Sequence, residues 1–160
     1  MPVGNNERSS FYTVDCKNAC ISQKNDGVSV RLGDYFAGIL TEVRLKEWQF
    51  EGEKRWNVEM LFEGHEVLTF NAHTSFARMV MPRLRGVRRG MTVKVTPYFY
   101  ENTCCGAISL NGEKVGNPGF TWPKPIEERK AGRKVYNDSE SILLMTAMAK
   151  EINENLAVPF

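Results

Sequence analysis

The sequence has no apolar run close to the ~20 residues that a helix needs to cross a bilayer. Its first ten residues, MPVGNNERSS, also lack the apolar segment of a secretory signal peptide. We therefore expect a cytoplasmic protein with no membrane partner. In that reducing compartment the four cysteines are expected to stay reduced.

Recognisable catalytic motifs are missing too. The chain has no phosphate-binding glycine loop, no nucleophile elbow and no His-Glu-x-x-His segment. Its two histidines, His65 and His73, belong to no recognisable motif with a spaced His, Asp or Glu, so we interpret them as a turn residue and a helix-entry residue. The pair Glu127 and Glu128 is interpreted as solubilising charge. We predict no enzyme, no catalytic residue and no cofactor.

The cysteines match a structural zinc site in number but not in spacing. Four thiolates can hold one tetrahedral zinc ion. The chain has no Cys-x-x-Cys knuckle, and adjacent cysteines rarely both reach one ion. The four are Cys16, Cys20, Cys104 and Cys105. We favour small, buried or half-buried thiols over a zinc site and predict no metal.

Composition places the chain among ordinary soluble domains. A length of 160 residues fits one domain with a sizeable core, and 42% hydrophobic and 25% charged residues are unremarkable. The formal charge is only +2. Residues 138–160 hold four acids and one lysine, so the preceding 137 residues carry +5. A basic body with a mildly acidic C-terminal part favours a polyanionic partner.

Residues 33–62 form two long alternating runs around a polar, glycine-containing loop at 51–54, which is typical of a β-hairpin. Because side chains of a strand alternate between two faces, parity divides the first run into a core side and a water side. The odd positions form the predicted core face: Tyr35, Ala37, Ile39, Val43 and Leu45. The even positions further along carry two cations and then two aromatic rings: Arg44, Lys46, Trp48 and Phe50.

Cations beside flat rings are what a protein needs to hold single-stranded nucleic acid. A later run repeats the pattern, with apolar residues alternating with Lys94, Tyr98 and Tyr100. Its predicted apolar face is Met91, Val93, Val95 and Phe99. Four arginines with no acid between them precede this run: Arg83, Arg85, Arg88 and Arg89. Their planar guanidinium groups suit phosphate. The alternatives are rings packed in the core or at its rim, and arginines on a solvated loop.

The remaining elements set the order of the fold. A run at 66–71 follows the hairpin, a helix is expected at 74–84 that breaks or tightens near Pro82, and another strand is expected at 106–110 before the Asn111-Gly112 turn. An earlier strand is expected at 28–32. Residues 116–133 read as an extended arm carrying Phe120 and Trp122, with polar linker at 127–132, and a short strand is expected at 134–136. The final helix, 138–156, presents one apolar stripe: Ile142, Met145, Ala149, Ile152 and Leu156.

Three strands, a helix and two strands is the order of the five-stranded oligonucleotide/oligosaccharide-binding barrel, the OB-fold. We therefore expect a mainly β chain: a five-stranded OB-fold barrel with a short helix between strands 3 and 4 and a C-terminal helix. All 160 residues are assigned to this single domain, with the barrel at about 28–115. Such barrels bind ligands on the outer face of strands 2 and 3.

At residues 33–115 the chain resembles the single-stranded DNA-binding proteins of tailed bacteriophages. The resemblance rests on the Gly38-Ile39-Leu40 start of the long hairpin, the arginine-rich segment before the fourth strand, and the terminal Pro159-Phe160. It implies a protein of DNA replication or recombination, in the host cytoplasm if the source is a phage. It also implies that Phe160 docks on replication proteins, although the sparse acids nearby depart from that pattern.

We expect a non-enzymatic protein that coats and protects single-stranded DNA. Arg44, Lys46, Lys94 and the four arginines would neutralise phosphates, while Trp48, Phe50, Tyr98 and Tyr100 would stack bases, with Trp122 as an addition. One alternative is an OB-fold protein-interaction module without nucleic-acid binding, such as a phage assembly or host-takeover factor. A small β-rich enzyme is the other. The apolar stripe of the last helix packs within the chain or, alternatively, on a second copy in a homo-oligomer.

Overall fold

The computed structural model describes residues 9–25 and 28–158. The strands of this part are β1 (Ser10–Asp15), β2 (Cys20–Asn25), β3 (Val28–Gly33), β4 (Phe36–Phe50), β5 (Glu53–Phe62), β6 (Glu66–Asn71), β7 (Thr92–Tyr100), β8 (Thr103–Leu110), β9 (Glu113–Lys114), β10 (Ile126–Lys130) and β11 (Arg133–Asn137). The helices are α1 (Ser75–Arg83), continued by a 3-10 turn at Leu84–Gly86, and α2 (Ser139–Ala157). The prediction of a mainly β chain with a C-terminal helix is confirmed.

Nine strands form one mixed sheet in the order β3-β2-β1-β6-β5-β4-β7-β8-β9, while β10 and β11 form a separate hairpin. The neighbours are antiparallel except β1 and β6, which are parallel. The five-stranded barrel is not confirmed, because the sheet stays open between β3 and β9. The N-terminal strands explain the difference: β1 takes the edge of β6, and β2 and β3 extend the sheet beyond it.

The β4–β5 hairpin turns on two residues rather than the four expected. Phe50 pairs with Glu53, and the intervening Glu51 and Gly52 both have positive φ, 50° and 78°. Two central residues with φ above zero define the turn whose twist matches that of paired strands. Glycine accepts this conformation without steric cost, so Gly52 fixes the register of the whole hairpin.

A bulge in β4 overturns half of the predicted core face. Leu40 pairs with Phe62 and Glu42 with Leu61, so Thr41 is an extra residue in the ladder. One inserted residue exchanges the two faces of a strand. Before the bulge the buried positions are even, as at Phe36 and Leu40, and Tyr35 and Ala37 are exposed. After the bulge they are odd: Val43 is fully buried and Leu45 half-buried.

Helix α1 lies against β8. Its N-cap is Thr74, whose hydroxyl accepts the N–H of Ala77 at 3.2 Å. Gly106 of β8 lets the helix approach closely, since a Cβ there would lie 2.5 Å from the side chain of Val80 and 2.9 Å from that of Phe76. Any side chain at this position would push α1 away from the core.

Pro82 lies in the last turn of α1, which then tightens into the 3-10 turn as predicted. Proline has no N–H, so the carbonyl of Arg78 loses its usual intrahelical donor. The indole Nε1 of Trp122 donates to that carbonyl oxygen at 2.9 Å. The ring of Phe120 packs edge-on against Trp122 with centroids 4.9 Å apart. The arm therefore wraps its own chain, anchored where the proline leaves an acceptor free.

Helix α2 covers a sheet edge. Strand β4 pairs with β7 only over Phe36–Ile39, so its later residues have no strand on that side. The amide of Asn153 takes the place of one: its Oδ1 accepts the N–H of Val43 at 2.8 Å and its Nδ2 donates to the carbonyl of Val43 at 2.7 Å. All five residues of the predicted apolar stripe of α2 are buried within the chain.

The predictions for residues 126–133 are wrong. The arm and polar linker expected there are instead strand β10 and a turn, which pair with β11 from Ile126 opposite Asn137 to Lys130 opposite Arg133. The turn is again two residues, Ala131 and Gly132, both with positive φ. The short strand expected at 134–136 is confirmed as part of β11.

Replacing Asn153 with alanine should destabilise the protein. The N–H and carbonyl of Val43 would both lose their partner at a half-buried edge, which costs about 1–3 kcal/mol in the free energy of unfolding. Chemical denaturation measures the change. Glu154→Ala, at an exposed position on the same helix, is the control and should have little effect. Equal stability of the two variants would contradict the edge-covering role.

The Pro82–Trp122 relation predicts coupling in a double-mutant cycle. Trp122→Phe removes the donor to the Arg78 carbonyl and should lower stability. In a Pro82→Ala background the alanine N–H restores the intrahelical donor, so the same change should cost less. The expected coupling is about 0.5–1.5 kcal/mol. Strictly additive effects in chemical denaturation would show that the indole does not replace the missing donor.

Candidate nucleic-acid interface

The outward face of the β4–β5 hairpin carries the four residues predicted for it. Residues directly opposite one another in an antiparallel pair share a face. The opposed pairs on this face are Arg44 with Glu59, Lys46 with Asn57, Trp48 with Arg55, and Phe50 with Glu53. The hairpin thus presents cations and aromatic rings together, on the side away from the core.

Trp48 and Phe50 form an exposed aromatic pair. Trp48 is 37% exposed and Phe50 is 52% exposed. Their ring centroids are 6.0 Å apart and the rings meet edge to face at 65°. The indole Nε1 donates to Oδ1 of Asn57 at 3.2 Å, which fixes the orientation of the larger ring. An oriented, uncovered pair of rings is a surface on which planar groups can stack.

The cations of this face differ in availability. The guanidinium of Arg44 contacts the buried carboxylate of Glu59 at 2.7 Å, so its charge is already matched. Lys46 is exposed and takes part in no ion pair found among the described residues. Arg55 lies opposite Trp48 and 3.5 Å from the carboxylate of Glu53. Lys46, and Arg55 with its longer and more exposed pair, are therefore better placed than Arg44 to meet a phosphate.

Arg55 was absent from the predicted site, although strand alternation places it on the face opposite to that of Trp56 and Val58. Its place beside Trp48 depends on the ladder register. The two-residue turn sets that register, so assuming a turn at 51–54 hid the pairing.

A second exposed aromatic group lies on β7. Lys94, Tyr98 and Tyr100 are on its outward face as predicted, with Tyr98 40% and Tyr100 64% exposed. The ammonium of Lys94 lies 4.3 Å from the ring centroid of Tyr35. Phe99 was predicted to face the core but is exposed, because the buried side of β7 ends at Pro97.

The structure does not bring the two aromatic groups together. Trp48 lies twelve residues along β4 from Phe36, which pairs with Val95. Tyr98 lies three residues beyond Val95, in the opposite direction. At ~3.3 Å per residue the groups are separated by about 50 Å of strand path. One nucleotide cannot contact both, so any shared ligand must be a long strand.

The arginine cluster is divided among several partners. Arg83 donates to the carbonyl of Met79 at 2.8 Å, and Arg85 contacts Glu151 of α2 at 2.8 Å. Arg88 donates to the carbonyl of Val87 at 2.9 Å. Arg88 and Arg89 are exposed. Among the described residues Arg85 alone of the four pairs with a carboxylate, and phosphate binding by the four stays a prediction.

Trp122, the further ring of the predicted site, lies on the arm rather than on the hairpin face. It is half-buried, its N–H donates to the carbonyl of Arg78, and the ring of Phe120 packs against it. Phe160, the predicted docking residue for replication proteins, lies outside the described residues.

The histidines have the structural positions expected. His65 lies in the turn before β6 with φ 60°, and His73 precedes α1. Nε2 of His73 accepts the N–H of Trp56 at 3.2 Å, and Nδ1 lies 3.3 Å from the carboxylate of Asp138. The same carboxylate receives Nη2 of Arg78 at 2.9 Å on both oxygens. This cluster joins β5, α1 and the start of α2.

The four cysteines do not form one site, although Cys16 and Cys104 are neighbours. Cys104 and Cys105 are consecutive in β8, so their side chains leave on opposite faces. Within residues 9–25 and 28–158 no three His, Cys, Asp or Glu side chains form a metal-holding group. Burial raises the pKa of the Cys16 thiol to about 12, and the neighbouring Cys104 adds to the shift. Burial also raises the pKa values of Cys20 and Cys104.

Comparison with known proteins assigns no family. No protein-family model, curated protein or solved structure matches this chain. In the part of the chain that the structure describes, no helix has the length and apolar character needed to span a bilayer.

The raised pKa of Cys16 predicts slow alkylation. A thiol with a pKa of about 12 stays almost fully protonated at pH 8, and only the thiolate attacks iodoacetamide. Labelling of Cys16 should be at least about a hundredfold slower in the native protein than in the guanidinium-unfolded chain, where the pKa returns to its ordinary value. Peptide mass spectrometry measures it residue by residue. Equal native and unfolded rates would contradict the burial of this thiol.

Proposed function

We propose that this protein binds single-stranded DNA, coating and protecting it during replication or recombination, in a phage-infected host cytoplasm if the source is a phage. The observation that carries the proposal is the exposed pair Trp48 and Phe50, set between Lys46 and Arg55 on one outward face. Rings stack on unpaired bases, which are accessible in single strands but enclosed in a duplex. The cations meet phosphates and release counterions.

The strand pairing supports the finer proposal of an OB-type core. The meander β4-β5-β6 is followed by α1 and then by β7 and β8, and β4 pairs with both β5 and β7. This is the order of three strands, a helix and two strands, with a long first strand shared between two parts of the sheet. In this proposal β1 occupies the edge of β6, where a five-stranded barrel would otherwise close.

The action is sequestration rather than catalysis. A strand stacked on Trp48 and Phe50 can neither re-pair nor present those bases to a nuclease. The second group at Tyr98 and Tyr100 extends the same strand to the other end of the sheet. About 50 Å of strand path between the groups favours a site of many nucleotides over a dinucleotide pocket.

A protein-interaction module is the second candidate, and β3 is the observation that favours it. This strand ends the sheet, and Val28, Val30 and Leu32 are 63%, 41% and 50% exposed. Uncovered apolar side chains on an edge strand suit pairing with another chain. The two candidates separate by experiment, because only the first requires the hairpin rings and a polyanion.

Titration with oligo-dT tests the first candidate. Binding should quench tryptophan fluorescence, and most of the quenching should disappear in Trp48→Ala, since Trp56 and Trp122 are partly buried. The variant should lose about 1–3 kcal/mol of binding free energy. Duplex of equal length should compete poorly. Trp122→Phe is the control and should bind as the unmodified protein does.

The salt dependence of the same titration gives an independent readout. Each phosphate contact contributes about −0.7 to the slope of log K against log salt for a single strand. Lys46→Ala should therefore flatten the slope by about that amount. Absence of both quenching and a retarded complex at low salt would overturn the proposal and leave the interaction module.

A further inference from the structure

A groove of about 560 Å³ lies between the tip of the β4–β5 hairpin and the β10–β11 hairpin. Residues 52–56 form one wall, and Glu128 with residues 135–137 form the other. Its floor is His73 and the first turns of α2. The volume falls within the range of small-ligand sites, about 300–1,000 Å³. None of the residues predicted from the sequence to bind nucleic acid lines it.

The polar groups of the floor are already matched to one another. Both oxygens of Asp138 receive Arg78, and His73 links Asp138 to the N–H of Trp56. The guanidinium balances the carboxylate, so the floor does not repel an approaching phosphate by an uncompensated charge. These contacts also fix the two walls relative to α2, so the groove does not need ligand to be ordered.

The large side chains around the groove are unusually exposed. Tyr136 is 62% exposed and Leu143 is 70% exposed. Val135 and Ile142 add apolar lining, and the ring of Trp56 lies at the end toward the core. An apolar and aromatic lining of this kind packs best against a flat, largely uncharged ring. Among the parts of a single strand, that group is a nucleobase.

The groove continues the candidate interface around the hairpin tip. Arg55 lines the groove and also lies opposite Trp48 in the ladder. Lys54 lines the groove beside it. Both cations have an acidic neighbour, with Glu53 3.5 Å from Arg55 and Glu47 3.7 Å from Lys54. These pairs are solvent-exposed, so they contribute little and can exchange for a phosphate. Glu128 accepts Nδ2 of Asn137 at 3.0 Å. A strand that leaves the aromatic pair across the narrow two-residue turn therefore passes two cations before it reaches Tyr136.

We propose that this groove is a nucleobase subsite. It takes one unpaired base from a single strand whose neighbouring bases stack on Trp48 and Phe50, with Tyr136 as its stacking ring and Lys54 and Arg55 on its phosphates. The inference rests on the proposed function and adds to it a defined path: over the hairpin tip and down between the two hairpins.

Photo-cross-linking locates the strand directly. Oligo-dT carrying a single 5-iodouracil is irradiated with the protein, the label is moved one position at a time, and labelled peptides are identified by mass spectrometry. Cross-links to the Tyr136 peptide are expected at a constant offset from the position that labels Trp48. Labelling of the Trp48 peptide without any groove peptide would overturn the subsite and retain the proposed function. Failure to form any complex would overturn both.

Variants of Tyr136 give a second test, in which affinity is measured for oligo-dT of increasing length. Tyr136→Ala should weaken long oligo-dT roughly tenfold and leave the shortest oligonucleotides that quench Trp48 unaffected, because only the longer ones reach the groove. Tyr136→Phe keeps the ring and should bind normally. Ile126→Ala, a half-exposed apolar position of the same hairpin outside the lining, is the matched control. Circular dichroism melts verify folding. Equal affinity of Tyr136→Ala and the unmodified protein at every length would overturn the subsite.

Discussion

The structure depends on the way β4 changes partners. Its first residues pair with β7 and the rest pair with β5, and the bulge at Thr41 lies where the change occurs. The inserted residue sets the parity of everything after it. With the bulge, Lys46, Trp48 and Phe50 point to water and Val43 points to the core. Without it the same sequence would bury a lysine and expose valine, so the candidate interface exists because of one extra residue in the ladder.

Backbone groups that lack a hydrogen-bond partner in β4 and in α1 receive one from a side chain far along the chain. Beyond Ile39 one side of β4 has no strand, and Asn153 of α2 hydrogen-bonds the N–H and carbonyl of Val43 that would otherwise be unpaired. Pro82 leaves the carbonyl of Arg78 without a helical donor, and Trp122 supplies one. In both places a side chain replaces a missing backbone group, as buried polar atoms require. These two contacts attach the C-terminal third of the chain to β4 and to α1.

Local patterns predicted the local structure well. Alternation placed Trp48 and Phe50 on an outward face, helical spacing found the stripe from Ile142 to Leu156, and the Asn111-Gly112 pair predicted a turn that the structure contains. Each depends on neighbours within one element. The mainly β class and the C-terminal helix followed from the same signals.

Long-range relations were not predictable in this way. Nothing in the composition of 38–43 marks Thr41 as the extra residue, since a bulge depends on the partner strand. The parallel pairing of β1 with β6 joins segments more than fifty residues apart. Strand β10 is mostly charged and therefore read as linker, and the buried partner of Arg44 could not be seen from charge alone. The groove between the hairpins was missed with β10, because this strand supplies Glu128 to one wall.

Amide hydrogen exchange with and without oligo-dT shows whether the β4–β5 hairpin binds single-stranded DNA, because it reports on every part of the backbone in one experiment. If this hairpin is the binding surface, the bound strand slows exchange from residue 46 to residue 56. Unchanged exchange there in a sample that has bound the oligonucleotide, with protection only on other strands, would contradict it.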